Sequence, residues 1–349
     1  MASTLKYLFN SAKTLAVGNP QSKASRPTDL FPAVDKAVDG DDCDQDCASC
    51  TVKYPKNFSI DESDDLFGHV KGWSTHVLVA TGKTDWVHDV ADEKGSVMQA
   101  IANTTAPTNG RLLVSASDMP TPHHSTSYSE PTTVLLLPAF VLIENVTPAT
   151  VPALLASIVS HAPTTASPLT PFSIPRSLDA PLPEGSPAAV RALAMRPSPH
   201  AALLLLCSQR TRDARCGQSA PLLRREFLRH LRPLGLDRDL DDERPGGVGV
   251  YFISHVGGHK YSANLMVYRR RDAFGLEGGG EGEGDGDGEG DEGQGDEGDE
   301  GAAQCIWLAR VRPEDCENIV KQTVLKGKVV KPERQLRGGF DRGRGLLSW

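Results

Sequence analysis

Apolar residues in this chain fall either into short unbroken runs or into sets spaced at a helical repeat. Ala201-Ala-Leu-Leu-Leu-Leu-Cys207 is an unbroken run and predicts a buried strand over 201–206; Val248–Ile253 and Leu265–Tyr268 predict two more. From Pro221 to Leu231 the pattern changes, with Leu223, Phe227 and Leu231 four apart on one helical face. A fourth strand is expected at Cys305–Val311 and a last helix at Pro313–Val324, where Cys316, Ile319, Val320 and Val324 share a face. Cys316 is therefore expected in the core, and Cys305, which opens a strand with no ligand pattern around it, is assigned a structural place. Upstream, the regular pattern begins at Trp73 and predicts strand His76–Ala80, helix Asp92–Ala102, strands Arg111–Ser115 and Thr133–Leu137, and a helix after Thr147-Pro148. The fold class expected is α/β, as two small domains.

Breaks in the pattern set the boundaries. Seven prolines fall within 162–187, a density that blocks helix and sheet and reads as a semi-rigid linker. It separates an α/β, thioredoxin-like unit at 56–161 from a second domain at 188–330, in which 188–195 reads as a short helix. Residues 1–55 read as irregular and hold Cys43, Cys47 and Cys50, to which no role is assigned. Residues 277–301 are nearly all Gly, Glu and Asp, and like-charge repulsion with glycine entropy predicts a disordered insert. The basic, glycine-rich stretch 331–349 reads as a flexible tail; its RGG-like run is weak grounds for nucleic-acid binding, and no such partner is expected.

Charge and cysteine usage narrow the class. The chain has net charge −8, but 277–300 holds twelve acids and no base, so the remainder carries −8 + 12 = +4. The longest apolar run, near Thr133–Ile143, is broken by Pro138 and falls short of the ~18 residues a membrane span needs, so no membrane partner is expected. Seven cysteines, an odd number, spread over 349 residues without a preceding secretory h-region point to a reducing compartment. The cytoplasm is the expected location, with the nucleus also open to the protein. Lys6, Lys13, Lys23 and Arg26 precede any acid, as in a mitochondrial presequence, but only one of the four is Arg, and mitochondrial import is the less favoured reading. Gly82-Lys83-Thr84 lacks the earlier glycine of a phosphate loop, since position 77 is Val. His88, Asp89, His123 and His124 read as surface polar residues.

The candidate chemistry lies in two loops. Cys207 and Cys216 bracket the predicted strand-to-helix loop, and His255 and His259 lie on the loop between the next two strands. Two thiolates and two imidazoles suit zinc or a [2Fe–2S] cluster in which His replaces Cys on one iron. Eight residues separate the cysteines, wider than the two to four of a zinc knuckle. Gly257 and Gly258 let the backbone approach a metal without a Cβ in the way. A thiol-disulfide oxidoreductase is a third reading, opposed by the absence of Cys-x2-Cys at either strand-to-helix junction.

Cys207-Ser-Gln-Arg-Thr-Arg-Asp-Ala-Arg-Cys216-Gly, with Ser254-His-Val-Gly-Gly-His-Lys-Tyr-Ser-Ala-Asn264, resembles the sucrase/ferredoxin-like family of thioredoxin-like ferredoxins, in the branch where His-x3-His stands for Cys-x3-Cys. The similarity runs from about Lys71 to the last residue; Gln209 departs from the His common in the family. The resemblance implies, for the C-terminal domain, a thioredoxin-like ferredoxin fold with a mixed sheet and flanking helices. It also implies one [2Fe–2S] cluster on Cys207, Cys216, His255 and His259, in an electron carrier more than a stand-alone catalyst. Since each pair shares a loop, the cysteines are expected on one iron and the histidines on the other. By analogy with other His-ligated centres, the potential is expected within about −150 to +300 mV.

Two partners are expected. Arg212 and Arg215, with Asp213 between them, either steer a reductase to the cluster or stiffen the loop through an Asp213–Arg pair. Leu347-Ser348-Trp349 resembles the C-terminal signal that delivers client proteins to the cytosolic iron–sulfur assembly targeting complex; the alternative is that Trp349 packs back onto the domain.

Overall fold

Side chains alternate across each strand, and in this protein both faces of the sheet are apolar, so both must be covered. In the strand Ala202–Cys207, Leu204 and Leu206 point to one buried cluster and Leu203 and Leu205 to another. A computed structural model describes residues 21–179, 192–275 and 299–349. Among them, fourteen strands form a single mixed sheet.

The strands in chain order are β1 (Ser22–Lys23), β2 (Thr75–Ala80), β3 (Leu112–Ser117), β4 (Thr132–Leu137), β5 (Val141–Val146), β6 (Ser177–Asp179) and β7 (Ala192–Pro197). They continue as β8 (Ala202–Cys207), β9 (Asp237–Arg238), β10 (Val248–Ile253), β11 (Leu265–Arg270), β12 (Ala302–Leu308), β13 (Leu336–Asp341) and β14 (Leu346–Leu347). The main helices are α1 (Val97–Ala102), α2 (an irregular helix over 148–161), α3 (Ala214–Leu231) and α4 (irregular, over 313–324). The sheet order is β1-β14-β13-β12-β11-β8-β10-β3-β2-β4-β5-β7-β6, with β9 beside β10.

This order contains an internal two-fold. Outward from the middle, one unit runs β3-β2-β4-β5-β7-β6 and the other β10-β8-β11-β12-β13-β14, in each case one parallel pairing followed by antiparallel ones. The units meet where β3 and β10 pair antiparallel at Ser117 and Ile253, which are equivalent positions, each opposite the last residue of its parallel neighbour. The seam bonds are reciprocal. Asp118 N donates to Phe252 O at 3.2 Å and Ser254 N to Ala116 O at 2.9 Å. Phe252 N donates to Asp118 Oδ1 at 2.7 Å, and Ala116 N to Ser254 Oγ at 3.1 Å.

Beyond this seam the two half-sheets face each other. Leu78, Leu135 and Leu142 share a cluster with Leu203, Met266 and Trp307 from the other half. His76 on β2 sits 3.0 Å through Nδ1 from the Tyr268 hydroxyl on β11, and its Nε2 is 2.9 Å from Ser115 Oγ. The outer faces bury α1 and α2 on one side, α3 and α4 on the other. The result is helix, sheet, sheet, helix.

Three expectations are corrected. One sheet and one shared core join the units, so the proline-rich stretch does not link separate bodies. Its described part, 162–179, is pinned to the sheet: Thr165 N donates to Ser74 O at 2.8 Å and its hydroxyl to Trp73 O at 2.6 Å. The helix expected at 188–195 gives way, where described, to β7, whose Leu193 and Met195 are buried against β5. Finally, 331–349 is not a flexible tail. Leu336 and Phe340 are fully buried in β13, and Gly339, at φ +143°, passes so near the β12 backbone that a Cβ there would sit 1.9 Å from Cys305 O. The tail's arginines bind carbonyls rather than a solvent-borne partner: Arg342 reaches Ser167, Pro168, Glu300 and Ala302, and Arg344 reaches Asp29 and Leu30. Most of the acidic stretch expected to be disordered, 277–298, lies outside the described residues, as do 180–191. Cys305 and Cys316 are fully buried, as expected.

Phe340→Ala should lower unfolding free energy by about 3–5 kcal/mol in a urea titration, where a flexible tail would show no change. Acid should also weaken the fold through the buried histidines. Burial holds His76 down to about 3, and burial followed by the charge of Arg238 holds His200 down to about 4. Below about pH 6.5 the unfolded chain binds protons that these folded imidazoles refuse, so stability is lost as pH falls from 6.5 toward those values. Each contributes a slope of up to about 1.4 kcal/mol per pH unit, and His76→Gln should remove its own share in unfolding titrations between pH 7 and 4.

Candidate metal centre

β8 and β10 are parallel neighbours in register, Cys207 opposite Ile253, so the segments leaving their ends start side by side. Cys207 ends β8 at 1% exposure. The chain turns through 208–213 into α3, where the Asp213 carboxylate caps the helix by accepting from Arg215 N at 2.9 Å. Cys216 falls in the first turn of α3 and is fully buried. His255 follows β10 by two residues. Gly257 at φ +88° and Gly258 at φ +67° then turn the chain into a short 3-10 helix, His259–Tyr261.

The metal-binding atoms of Cys207, Cys216 and His255 all lie within 4.8 Å of one another, with Cys207 Sγ 3.9 Å from His255 Nδ1. His259 stands outside this trio, its ring centroid 5.4 Å from that of His255. Its Nδ1 is buried and, among the described residues, has no hydrogen-bond partner, a costly state that a metal bond would relieve. The two thiols share one hydrogen bond. Cys216 is held down to about 5, first by the hydrogen bond from Cys207 and, against the opposing effect of burial, by the facing His255 imidazole. Cys207, which keeps the shared proton and is fully buried, is pushed up. The thiolate is the form of cysteine that ligates a metal.

Residues to which sequence patterns assign no role hold this arrangement. Gln209 is 1% exposed; its Oε1 accepts from His255 N at 2.8 Å, and its Nε2 donates to Val87 O in the N-terminal unit. It braces the histidine loop. Ser208 Oγ donates to Thr84 O at 2.8 Å, and Thr211 donates through both N and Oγ1 to Asp85. The 84–88 loop therefore lies against the cysteine loop. Arg337, from the supposed tail, is 5% exposed and donates to Gly257 O at 3.1 Å and Asn264 Oδ1 at 2.8 Å. Its guanidinium lies 4.3 Å from the Trp307 ring centroid, and a Cβ on Gly258 would strike it at 2.7 Å. Burial pushes Arg337 down to about 10, which still leaves it charged at neutral pH.

Other expected site residues are engaged elsewhere. Arg215 pairs with Asp213 at 2.9 Å, the loop-stiffening alternative, and Arg212 Nη1 sits 2.7 Å from His88 Nδ1. Trp349 packs back on Trp73, with ring centroids 4.5 Å apart. Of the N-terminal cysteines, Cys43 is buried, while Cys47 offers its sulfur within 4.8 Å of His230 and Glu317 ligand atoms. Arg229 fills that gap, with Nη2 3.6 Å from Cys47 Sγ and 3.0 Å from His230 Nε2.

Comparison with known proteins places these loops in a family. Over 255 residues the chain is 28% identical to actin patches distal protein 1 of Saccharomyces cerevisiae, covering 68% of this chain and 74% of that one. It is 29% identical over 132 residues to altered inheritance of mitochondria protein 32 of Clavispora lusitaniae, and 30% over 129 residues to the protein of that name in Debaryomyces hansenii. These matches cover 38% and 37% of this chain and 33% of each relative. No solved structure matches. The family model described as sucrase/ferredoxin-like matches residues 66–338, which takes in both units and all four candidate ligands, and the chain belongs to that family.

Proposed function

We propose that this protein is a cytosolic electron-transfer protein that holds one [2Fe–2S] cluster on Cys207, Cys216, His255 and His259. The observation that carries the reading is the meeting of two thiols from one segment and the His255 imidazole from another, with the His259 ring 5.4 Å from His255 and its Nδ1 buried and, among the described residues, unpartnered. When bound, such a cluster takes up and releases single electrons, and neutral imidazole ligands favour its reduced form relative to four thiolates. The chain's own residues do the rest. Gln209 and Arg337 hold the histidine loop from opposite sides, the Asp213 cap places Cys216, and the 84–88 loop covers the cysteine segment. The buried Arg337 charge near this loop also favours an added electron.

A second reading has its own support. Three ligand atoms within 4.8 Å are close enough for one tetrahedral zinc, which would make the site a stabilising centre in an interaction module. Purified protein decides. The cluster reading expects a coloured protein with iron and inorganic sulfide in equal amounts and a paramagnetic signal on reduction; a colourless protein with stoichiometric zinc overturns it. Cys207→Ser and Cys216→Ser should each lose the cluster, while Cys316→Ser leaves it in place. His255→Cys and His259→Cys should keep a cluster at lower potential, because thiolate also ligates iron. An unchanged spectrum and potential in both would remove the histidines from the ligand set.

The partners follow from the same proposal. A reductase would supply electrons. Because Arg212 and Arg215 are already engaged by His88 and Asp213, their steering contribution is expected to be small, and electron-transfer rates should vary little with salt. The C-terminal Leu347-Ser348-Trp349 would deliver the apoprotein to the cytosolic iron–sulfur assembly targeting complex, with Trp349 lifting off Trp73 to be read. Deleting Trp349 should lower cluster occupancy in cells while leaving reconstitution of the purified protein intact; full loading in cells rejects this step.

A further inference from the structure

The internal two-fold allows two grooves on the inner sheet faces to be compared position by position. In the C-terminal unit, Met266 and Trp307 oppose each other on β11 and β12; Trp73 packs against Trp307 at 5.6 Å and carries the Trp349 indole. Strand register gives their N-terminal equivalents. Leu135 pairs with Leu78 as Met266 pairs with Leu205, and Leu142 opposes Leu135 as Trp307 opposes Met266. His200, two residues before β8, occupies the place of Trp73, two residues before β2. One groove is filled by an indole from the chain's own end. Its counterpart, among the described residues, is a cavity of about 290 Å³.

The cavity is built for a ligand with polar edges. Leu135 and Leu142 line it opposite Tyr251, so its walls are apolar and aromatic. Ser198 and His200 also line it at 5% and 4% exposure, and among the described residues neither Ser198 Oγ nor His200 Nδ1 has a hydrogen-bond partner. His200 Nε2 is 2.8 Å from the Tyr251 hydroxyl. With the Nε2 proton on that bond, Nδ1 is an acceptor. Buried, unpaired polar atoms are costly unless something binds them.

The mouth is acidic. Glu144, Asp241, Asp242 and Glu243 line it against Arg196 alone, which is shared by Glu144 at 2.8 Å and Glu243 at 2.5 Å. Arg244 pairs with Asp242, Arg238 lies within reach of the same carboxylate, and Arg270, paired with Asp299, holds the Ser198 and His200 carbonyls, so among these described groups carboxylates outnumber guanidiniums five to four.

We propose that this cavity binds a small planar aromatic amine, the ring held beside His200 by the leucines and Tyr251 and the ammonium at the carboxylate mouth. The volume is at the small end for ligand pockets and suits a bicyclic ring. The site is separate from the four candidate metal ligands, so its test does not depend on them.

Tryptamine titrated into the full-length protein by calorimetry is the probe, with indole-3-acetate as the same ring bearing the opposite charge. Tryptamine should bind saturably and raise the unfolding midpoint, and indole-3-acetate should bind more weakly. Ser198→Ala should weaken tryptamine by about three- to tenfold. Leu142→Trp, which copies the groove's filled counterpart, should abolish binding. If that variant does not fold, the Glu144→Gln/Glu243→Gln double variant decides, with a loss of about two- to fivefold per charge expected. No saturable tryptamine binding up to millimolar concentration overturns the proposal. So does equal binding of indole-3-acetate, or undiminished binding in folded Leu142→Trp or in the double glutamine variant.

Discussion

The reciprocal hydrogen bonds across the β3–β10 seam are the constraint on which the rest of the molecule depends. Two equivalent edges, each with unpaired backbone groups, satisfy one another at Ser117 and Ile253, and Asp118 and Ser254 take up the amides the short pairing leaves over. Arg224 from α3 reaches Asp118 at 2.7 Å and so ties the helix that carries Cys216 to the seam. Because the half-sheets fold onto each other beyond this point, the 84–88 loop of one unit comes to rest on the cysteine loop of the other.

That contact explains why the two units are chemically unequal. At the end of β2, the place equivalent to Cys207 is Ala80, and the place equivalent to His255, two residues past the seam position, is Met119. The N-terminal unit keeps the frame without the ligands. Its loop serves instead as a cover, with Thr84 and Val87 carbonyls accepting from Ser208 and Gln209. In the other direction, the C-terminal unit supplies His200 and Tyr251 to a cavity lined by the N-terminal strands.

The C-terminal segment reaches both the histidine loop and the inner face of the sheet. β13 completes the sheet beside β12, Arg337 reaches the histidine loop, and Trp349 closes over Trp73. A buried guanidinium is tolerated there because two carbonyl oxygens and the Trp307 ring replace its water.

The sequence by itself determined the strands and helices with strong apolar patterns and the four candidate ligands. Val248–Ile253 is observed with the bounds its apolar run predicts, and the strand read over 201–206 is observed at Ala202–Cys207. These features are local: a run of apolar side chains is driven to burial, and thiols and imidazoles at loop spacing mark candidate ligands. The strands β5 and β7 and the C-terminal β13 were not legible. Pro138 interrupts the apolar pattern before β5, β7 follows a proline-rich stretch, and β13 holds two glycines and an arginine. What makes them strands is pairing with distant partners, such as Gly339 with Ile306, and close backbone approach that favours the absence of a side chain. The joining of two units into one sheet, the brace from Gln209, the placement of Arg337 and the cavity beside His200 all depend on contacts between residues far apart in the chain, and those only the tertiary structure decided.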